Sequence, residues 1–120
     1  MSVKSPTSYS KGIWAEYYTV FVLMLKGYLP IKWRYKMKLG EIDLICRTRR
    51  KLIFVEIKYR QGSQMKAALA VSAKNQSRVS RCAQTFLQKN PQYESLEMRF
   101  DVVTVYGYGK LRHIKNAWSL

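Results

Sequence analysis

The run Leu52-Ile53-Phe54-Val55-Glu56-Ile57-Lys58 constrains this chain more than any other stretch. Its successive apolar positions exceed what a strand with one wet face carries, so it reads as a central strand. In an extended strand alternate side chains share a face, which points Glu56 and Lys58 one way and Val55 and Ile57 into the opposite layer. A carboxylate inside such a strand is costly unless something compensates it.

The surrounding elements follow from their periods. Residues 8–27 read as a first helix, capped at Ser8 or Ser10 and ended by Gly27, with Ile13, Tyr17, Val20, Phe21, Met24 and Tyr28 turned inward. Glu16 then sits at the edge of that apolar face and points toward the sheet. Residues 31–38 alternate, placing Ile31, Trp33, Tyr35 and Met37 on one side and Lys32, Arg34, Lys36 and Lys38 on a basic outer side. Strands at 41–47 and 51–59 are joined by the basic turn Thr48-Arg49-Arg50, which makes a three-stranded meander. A mobile loop is expected at 61–66. A second helix over 68–89 turns Val71, Val79, Ala83, Phe86 and Leu87 inward and carries a basic stripe of Lys74, Arg78 and Arg81. Asn90-Pro91 stops it, and strands at 98–106 and 111–115 follow, joined by a Gly107-Tyr108-Gly109 turn. The order helix, three strands, helix, two strands predicts one α/β domain over residues 1–120, with a mixed five-stranded sheet flanked by helices.

Charge narrows the function. The chain has 22 Lys plus Arg against seven Asp plus Glu, a formal charge of +15. The basic residues are spread along a folded surface, which points to a polyanionic partner, nucleic acid before membrane. No stretch reaches the ~20 apolar residues of a spanning helix. The apolar run 17–25 lies behind Glu16 without a small-residue cleavage site, so a cytoplasmic protein is expected. Cys46 and Cys82 lack CxxC spacing, and with a single histidine, His113, they argue against a structural zinc site or disulfide framework; both read as small buried residues.

A protein that merely held polyanions would gain affinity from every carboxylate it lost. Yet Glu41, Asp43 and Glu56 crowd into residues 41–56, and Glu16 lies in an apolar helix. Carboxylates kept on a cationic surface point to a bound divalent cation, and such a cation beside phosphates points to phosphodiester chemistry. If the strands carrying Asp43 and Glu56 are neighbours, their carboxylates approach one another. Magnesium, or manganese, needs only two carboxylates and one backbone carbonyl because it retains several waters. Lys58 is placed to orient or deprotonate the attacking water, or to offset charge on the phosphorane. The same spacing also arises from cross-strand ion pairs on a solvated sheet face. Asp101, two residues after Arg99, reads as structural, and His113 as a surface or phosphate-contacting residue. Trp14, Trp33 and Trp118 read as core, while Tyr35 and Tyr59 are candidates for stacking on bases.

These residues resemble the PD-(D/E)xK nuclease core, written here as Asp43 followed by Glu56-Ile57-Lys58, with Glu16 on the preceding helix. Gly12-Ile13-Trp14-Ala15-Glu16, Lys26-Gly27-Tyr28, Gly40-Glu41-Ile42-Asp43-Leu44-Ile45, Phe54 to Arg60, Arg99 to Val103 and Asn116-Ala117-Trp118 look like the bacterial YraN-like family of predicted endonucleases, distantly similar to Holliday junction resolvases. The resemblance implies a restriction-endonuclease-like fold in which Asp43, Glu56 and the Ile57 carbonyl bind magnesium, Lys58 assists the water, Glu16 is the helical acid and Glu41 stands beside the site. It also implies phosphate contacts by Lys74 and, by analogy with resolvases, a homodimer. Ile42 stands where that core has proline, and the segment after Arg60 lacks a glycine-rich stretch.

The leading expectation is a magnesium-dependent, structure-selective endonuclease acting on DNA. Lys32, Arg34, Lys36, Lys38, Arg60, Lys74, Arg78 and Arg81 are the candidate nucleic-acid contacts. A non-catalytic nucleic-acid-binding module on the same fold is the alternative, and a subunit docking an acidic protein is a third. Tyr106, Tyr108, Leu111, Trp118 and Leu120 either support self-association or finish the core.

Overall fold

A helix covers each face of a five-stranded mixed sheet in the computed structural model, which describes residues 8–60, 72–106 and 109–120. In chain order the elements are α1 (Ser8–Leu25), β1 (Leu29–Met37), β2 (Gly40–Arg47), β3 (Lys51–Arg60), α2 (Ala73–Lys89), a 3₁₀ turn (Pro91–Tyr93), β4 (Glu97–Tyr106) and β5 (Lys110–Trp118). The strands lie in the sheet in that same order, antiparallel except for the parallel pair β3 and β4. This is the expected α-β-β-β-α-β-β arrangement. Parallel pairing forces a crossover, and α2 lies within it. The loop expected at 61–66, the helical start expected at 68–71 and the turn residues 107–108 lie outside the described residues.

β3 is the central strand, and its alternation builds two core layers. Leu52 and Phe54 join Ile42, Ile45, Val79, Cys82, Ala83, Phe86, Phe100, Val102 and Trp118 on the α2 side. Ile53 and Val55 join Ala15, Leu23, Tyr28, Leu44, Cys46, Val103 and Val105 on the α1 side. Phe86 meets Tyr35, Phe54 and Tyr93, with ring centroids 5.2–6.2 Å apart. Truncating it to alanine is worth about 3–5 kcal/mol by the usual cost of a buried aromatic cavity. Both cysteines are free and buried, and burial followed by the nearby Asp101 charge pushes the Cys46 thiol up to about 12.

The caps explain the helix ends. Ser72 Oγ accepts the Asn75 amide at 3.2 Å to start α2, and the Asn90 amide and side chain bond the Leu87 and Phe86 carbonyls to end it. Gly27, at φ +90°, ends α1 as a Schellman turn: its amide bonds Met24 O and the Tyr28 amide bonds Leu23 O.

Two expectations of facing are corrected. The inward face of α1 is Ala15, Thr19 and Leu23, whereas Tyr17, Phe21 and Met24 are half or more exposed. The helix is apolar around most of its circumference, so period alone does not select a face. Small side chains at 15 and 19 let the helix approach the sheet, and that decides the matter. In β1 the alternation breaks, because Arg34 takes φ +54° and the register slips between Pro30 and Lys32. Trp33 therefore turns to the α1 side, edge-on to Tyr17, while Ile31, Tyr35 and Met37 pack on the α2 side. Trp14 and Trp33 are surface residues, and only Trp118 is core. Tyr35 and Tyr59, the candidates for stacking on bases, are half-buried, each packed against one of the two core layers. Leu111 and Trp118 likewise finish the core.

Asp101 anchors a buried polar network. Its Oδ1 accepts from Arg99 Nε at 2.8 Å and the Asn116 amide at 3.0 Å, and its Oδ2 pairs with Arg99 Nη2 and His113 Nε2, each at 2.7 Å. Arg99 also donates to the Tyr28 hydroxyl at 2.7 Å. Burial alone would raise the Asp101 carboxyl, but the bonds from His113, Arg99 and Asn116 outweigh it and hold it below its ordinary value. His113 is buried within this network, which corrects its expected place on the surface. Among the described residues no helix is long and apolar enough to cross a membrane.

Candidate active site

The site forms where the sheet forks. β2 and β3 pair from Arg47 opposite Leu52 to Leu44 opposite Val55, and there the ladder stops. Beyond it, residues 40–42 of β2 stay with β1, and residues 56–60 of β3 stay with β4. Asp43 is the first residue past the last pair. Its Oδ2 accepts the Ile57 amide at 2.8 Å, a side-chain bond that satisfies a donor the ladder leaves unpaired. In an extended strand the N–H and C=O of one residue leave on the same side, so the Ile57 carbonyl opens into the fork as well.

Glu56 and Lys58 follow the alternation of β3 and project on the α2 side, as Leu52 and Phe54 do. Glu56 is pushed up to about 8, chiefly by burial and then by the Asp43 charge, with Lys58 pulling the other way. Asp43 is pushed up to about 6, first by burial, against the bond from Ile57, with Glu16 and Glu41 adding repulsion and Lys58 relieving some of it. Four carboxylates thus feel one another around a single lysine. A positive charge placed between Asp43 and Glu56 would relieve both.

An open cavity of about 390 Å³ adjoins Asp43, lined by Gly12, Ile13, Glu16, Arg34, Lys36 and Glu41. Glu56 and Lys58 do not line it; Asp43 touches both the cavity and the fork. Glu16 reaches this cavity as expected, but one of its oxygens, Oε2, accepts from Arg34 Nε at 2.7 Å and Nη2 at 2.5 Å. Arg34 is therefore not on a basic outer face. Its left-handed backbone turns the guanidinium toward α1.

Among the described residues no three His, Cys, Asp or Glu side chains stand close enough to cage a metal. Glu41 is exposed and acts on Asp43 and Glu56 only through its charge. The donor set is the Asp43 and Glu56 carboxylates with the Ile57 carbonyl. Hard oxygen donors, few in number, with excess negative charge and open space beside them, fit a small divalent cation that keeps most of its water.

The basic candidates divide. Lys32, Lys36 and Lys38 are exposed along and just beyond β1, and Lys74 and Arg81 are exposed on α2. Arg78 is half-buried against the start of β2. The Arg60 side chain lies outside the described residues. What sequence reasoning missed is the fork itself: alternation reports which face a residue takes, not where a ladder ends. The isolated charge of Asp43 between Ile42 and Leu44, both fully buried, was its only trace.

A mixed α/β fold, with its sheet forked around a half-buried carboxylate pair and a lysine on the central strand, is the class of protein these features define. The family model described as "Uncharacterised protein family UPF0102" matches residues 15–105, from α1 through nearly all of β4. A UPF0102 protein of Methylorubrum extorquens (strain PA1) is 39% identical over 113 residues, covering 94% of this chain and 88% of the relative. One of Parvibaculum lavamentivorans is 40% identical over 111 residues, 92% and 83% of the two chains, and one of Saccharophagus degradans is 36% identical over 110 residues, 91% and 92%. The chain belongs to the UPF0102 family.

Proposed function

We propose that this protein is a divalent-metal-dependent nuclease of the PD-(D/E)xK type that hydrolyses DNA phosphodiesters with selectivity for branched or otherwise non-duplex structure. The observation that carries the reading is the pair of half-buried carboxylates at the sheet fork, Asp43 on β2 and Glu56 on β3 two residues before Lys58, in a chain of charge +15. Two half-buried carboxylates without a bonded cation are costly as structure and useful as a cation site.

In this reading Asp43, Glu56 and the Ile57 carbonyl hold a magnesium or manganese ion, which when bound supplies Lewis acidity and a more acidic water. Lys58 Nζ orients the attacking water and offsets negative charge on the phosphoryl oxygens as they become more anionic. Water oxygen bonds to phosphorus, the bond to the 3′ oxygen breaks, and that oxygen takes up a proton. The products are a 5′-phosphate and a 3′-hydroxyl. Lys32, Lys36, Lys38, Lys74 and Arg81 hold the flanking phosphates, so binding weakens steeply with salt. Glu16, tied to Arg34, shapes the cavity beside Asp43 and stays outside the ligand set.

The test is a cleavage panel of four-way junction, flap, single-stranded and linear duplex DNA and a matched RNA, each with Mg²⁺, Mn²⁺ or EDTA. Metal-dependent cutting that disappears in both Glu56→Ala and Lys58→Ala is the expected result. Cutting that survives in these variants sinks the reading. Binding to every substrate without cutting replaces it with a non-catalytic nucleic-acid-binding module.

A further inference from the structure

Gly40 opens β2 at φ +150°, and a Cβ placed there would lie 2.7 Å from Cδ and 3.1 Å from Cγ of Arg78, with Cys82 Sγ at 3.7 Å. A methyl group at position 40 therefore collides with the aliphatic stem of Arg78. Only glycine lets that stem lie across the first residue of β2. Arg78 precedes the buried Cys82 by one helical turn, so its stem is pinned between α2 and the sheet while its head stays partly open to solvent. Pinning removes rotamer freedom that a surface arginine would otherwise lose on meeting a ligand.

Among the described residues no hydrogen bond or ion pair engages the Arg78 guanidinium, whereas Arg34 and Arg99 are both bonded to carboxylates. It lies on the α2 side, the side to which Glu56 and Lys58 project, and it is close enough to Glu56 to lower that group's pKa against the effect of burial. It does not bond Glu56. A guanidinium with no bonded carboxylate among the described residues, pinned on the α2 side within electrostatic reach of Glu56, is suited to a planar, two-oxygen anion.

We infer that Arg78 is the residue that grips the phosphodiester being cut, approaching it from α2 with two N–H groups, and that Gly40 exists to let it lie there. This rests on the nuclease reading above. It separates Arg78 from Lys74 and Arg81 of the same helix, which are exposed and hold phosphates only as part of a general basic surface.

Two measurements test it. With the DNA selected by the cleavage panel, Arg78→Met is expected to lower kcat about 10²–10³-fold with little change in KM, the signature of a donor used in the transition state. Arg78→Lys should recover only part of that loss, because a point charge does not reproduce a two-pronged contact. Independently of activity, the Arg78 Nε–Hε cross-peak is followed by NMR in EDTA as a nucleoside 3′,5′-bisphosphate is added, with the free nucleoside as control. The peak is expected to move with the bisphosphate alone and to hold still in Gly40→Ala. A wild-type kcat in Arg78→Met, or a cross-peak that ignores the bisphosphate, overturns the assignment even if Glu56→Ala is inactive. Persistent cutting in Glu56→Ala overturns the nuclease reading instead, and the cross-peak still reports on Arg78.

Discussion

Asp101, fully buried, and the half-buried pair Asp43 and Glu56 are carboxylates of the same sheet in opposite circumstances. Asp101 has Arg99, His113 and the Asn116 amide around it and is held below its ordinary pKa. Asp43 has one backbone donor, Glu56 has Lys58 and Arg78 only at a distance, and both are pushed up. The Asp101 carboxylate is fully engaged without a ligand, while His113 Nδ1 on its far side is buried with no hydrogen-bond partner among the described residues. The pair at the fork stores electrostatic repulsion that an incoming cation would remove. Burial alone does not set the state of a carboxylate in this sheet; the number of donors bonded to it does.

The largest expected effect is on activity. Asp43→Asn and Glu56→Gln should each reduce metal-dependent cutting by about 10³-fold or more, as loss of a group that holds the catalytic ion would. In the same proteins without metal, Glu56→Gln should melt higher than the parent at pH 8, since it removes a half-buried charge that Asp43 repels. A variant that is both inactive and less stable than the parent would break the contrast.

Asp101→Ala should behave in the reverse manner. It leaves Arg99 partly buried without its counter-ion, and the cost is about 3–5 kcal/mol by urea unfolding, as for other broken buried pairs. Any loss of cutting should follow the loss of fold.

The two regions also tilt the pH profile in opposite directions. At the fork the folded-state values of about 6 and about 8 lie above those of the unfolded chain, so the folded protein keeps protons that the unfolded chain gives up. Its metal-free stability should fall as pH rises from about 4 toward 8, and Glu56→Gln should flatten that fall. Asp101 is lowered, so its contribution is complete above the unfolded value of about 4 and disappears as pH falls through the folded one. Urea midpoints from acid to mild alkali check both signs. A metal-free profile that is flat from about pH 5 to 8 would remove the distinction.

The smallest effect belongs to Glu16. Its pair with Arg34 is partly exposed, with side chains 17% and 37% accessible, so Glu16→Gln should cost no more than about 1 kcal/mol in the same unfolding assay. A larger loss would move Glu16 into the class of Asp101.

The legible parts of this molecule were those where one period dominates. β2, β3 and β4 have ends within a residue of those expected, because apolar runs and the Thr48-Arg49-Arg50 turn bound them sharply. The buried residues Val79, Ala83 and Phe86 of α2 were readable because that helix is polar on its other side. α1 hid its inward face, since Tyr17, Phe21 and Met24 are as apolar as the Ala15, Thr19 and Leu23 face that is buried. β1 looked regular because no sequence signal marks Arg34 for a left-handed backbone. At the site, the spacing of Asp43, Glu56 and Lys58 brought the acids and lysine into view. The tie between Glu16 and Arg34, the pinning of Arg78 by Gly40 and the place of His113 beside Asp101 are contacts across 12 or more residues that local pattern does not encode.

Among the described residues two non-glycine residues take positive φ, Arg34 and Asn116, and they fall one on each edge strand of the sheet. Each edge also carries a register slip, between Pro30 and Lys32 on β1 and opposite Phe100 to Val102 on β5. A sheet whose strands run in chain order has two open margins, and here both are bent out of the flat, regular ladder that another strand needs for docking. The irregularities that turn Arg34 toward Glu16 and the Asn116 amide toward Asp101 thereby also guard a very apolar sheet against growing, strand by strand, into an aggregate.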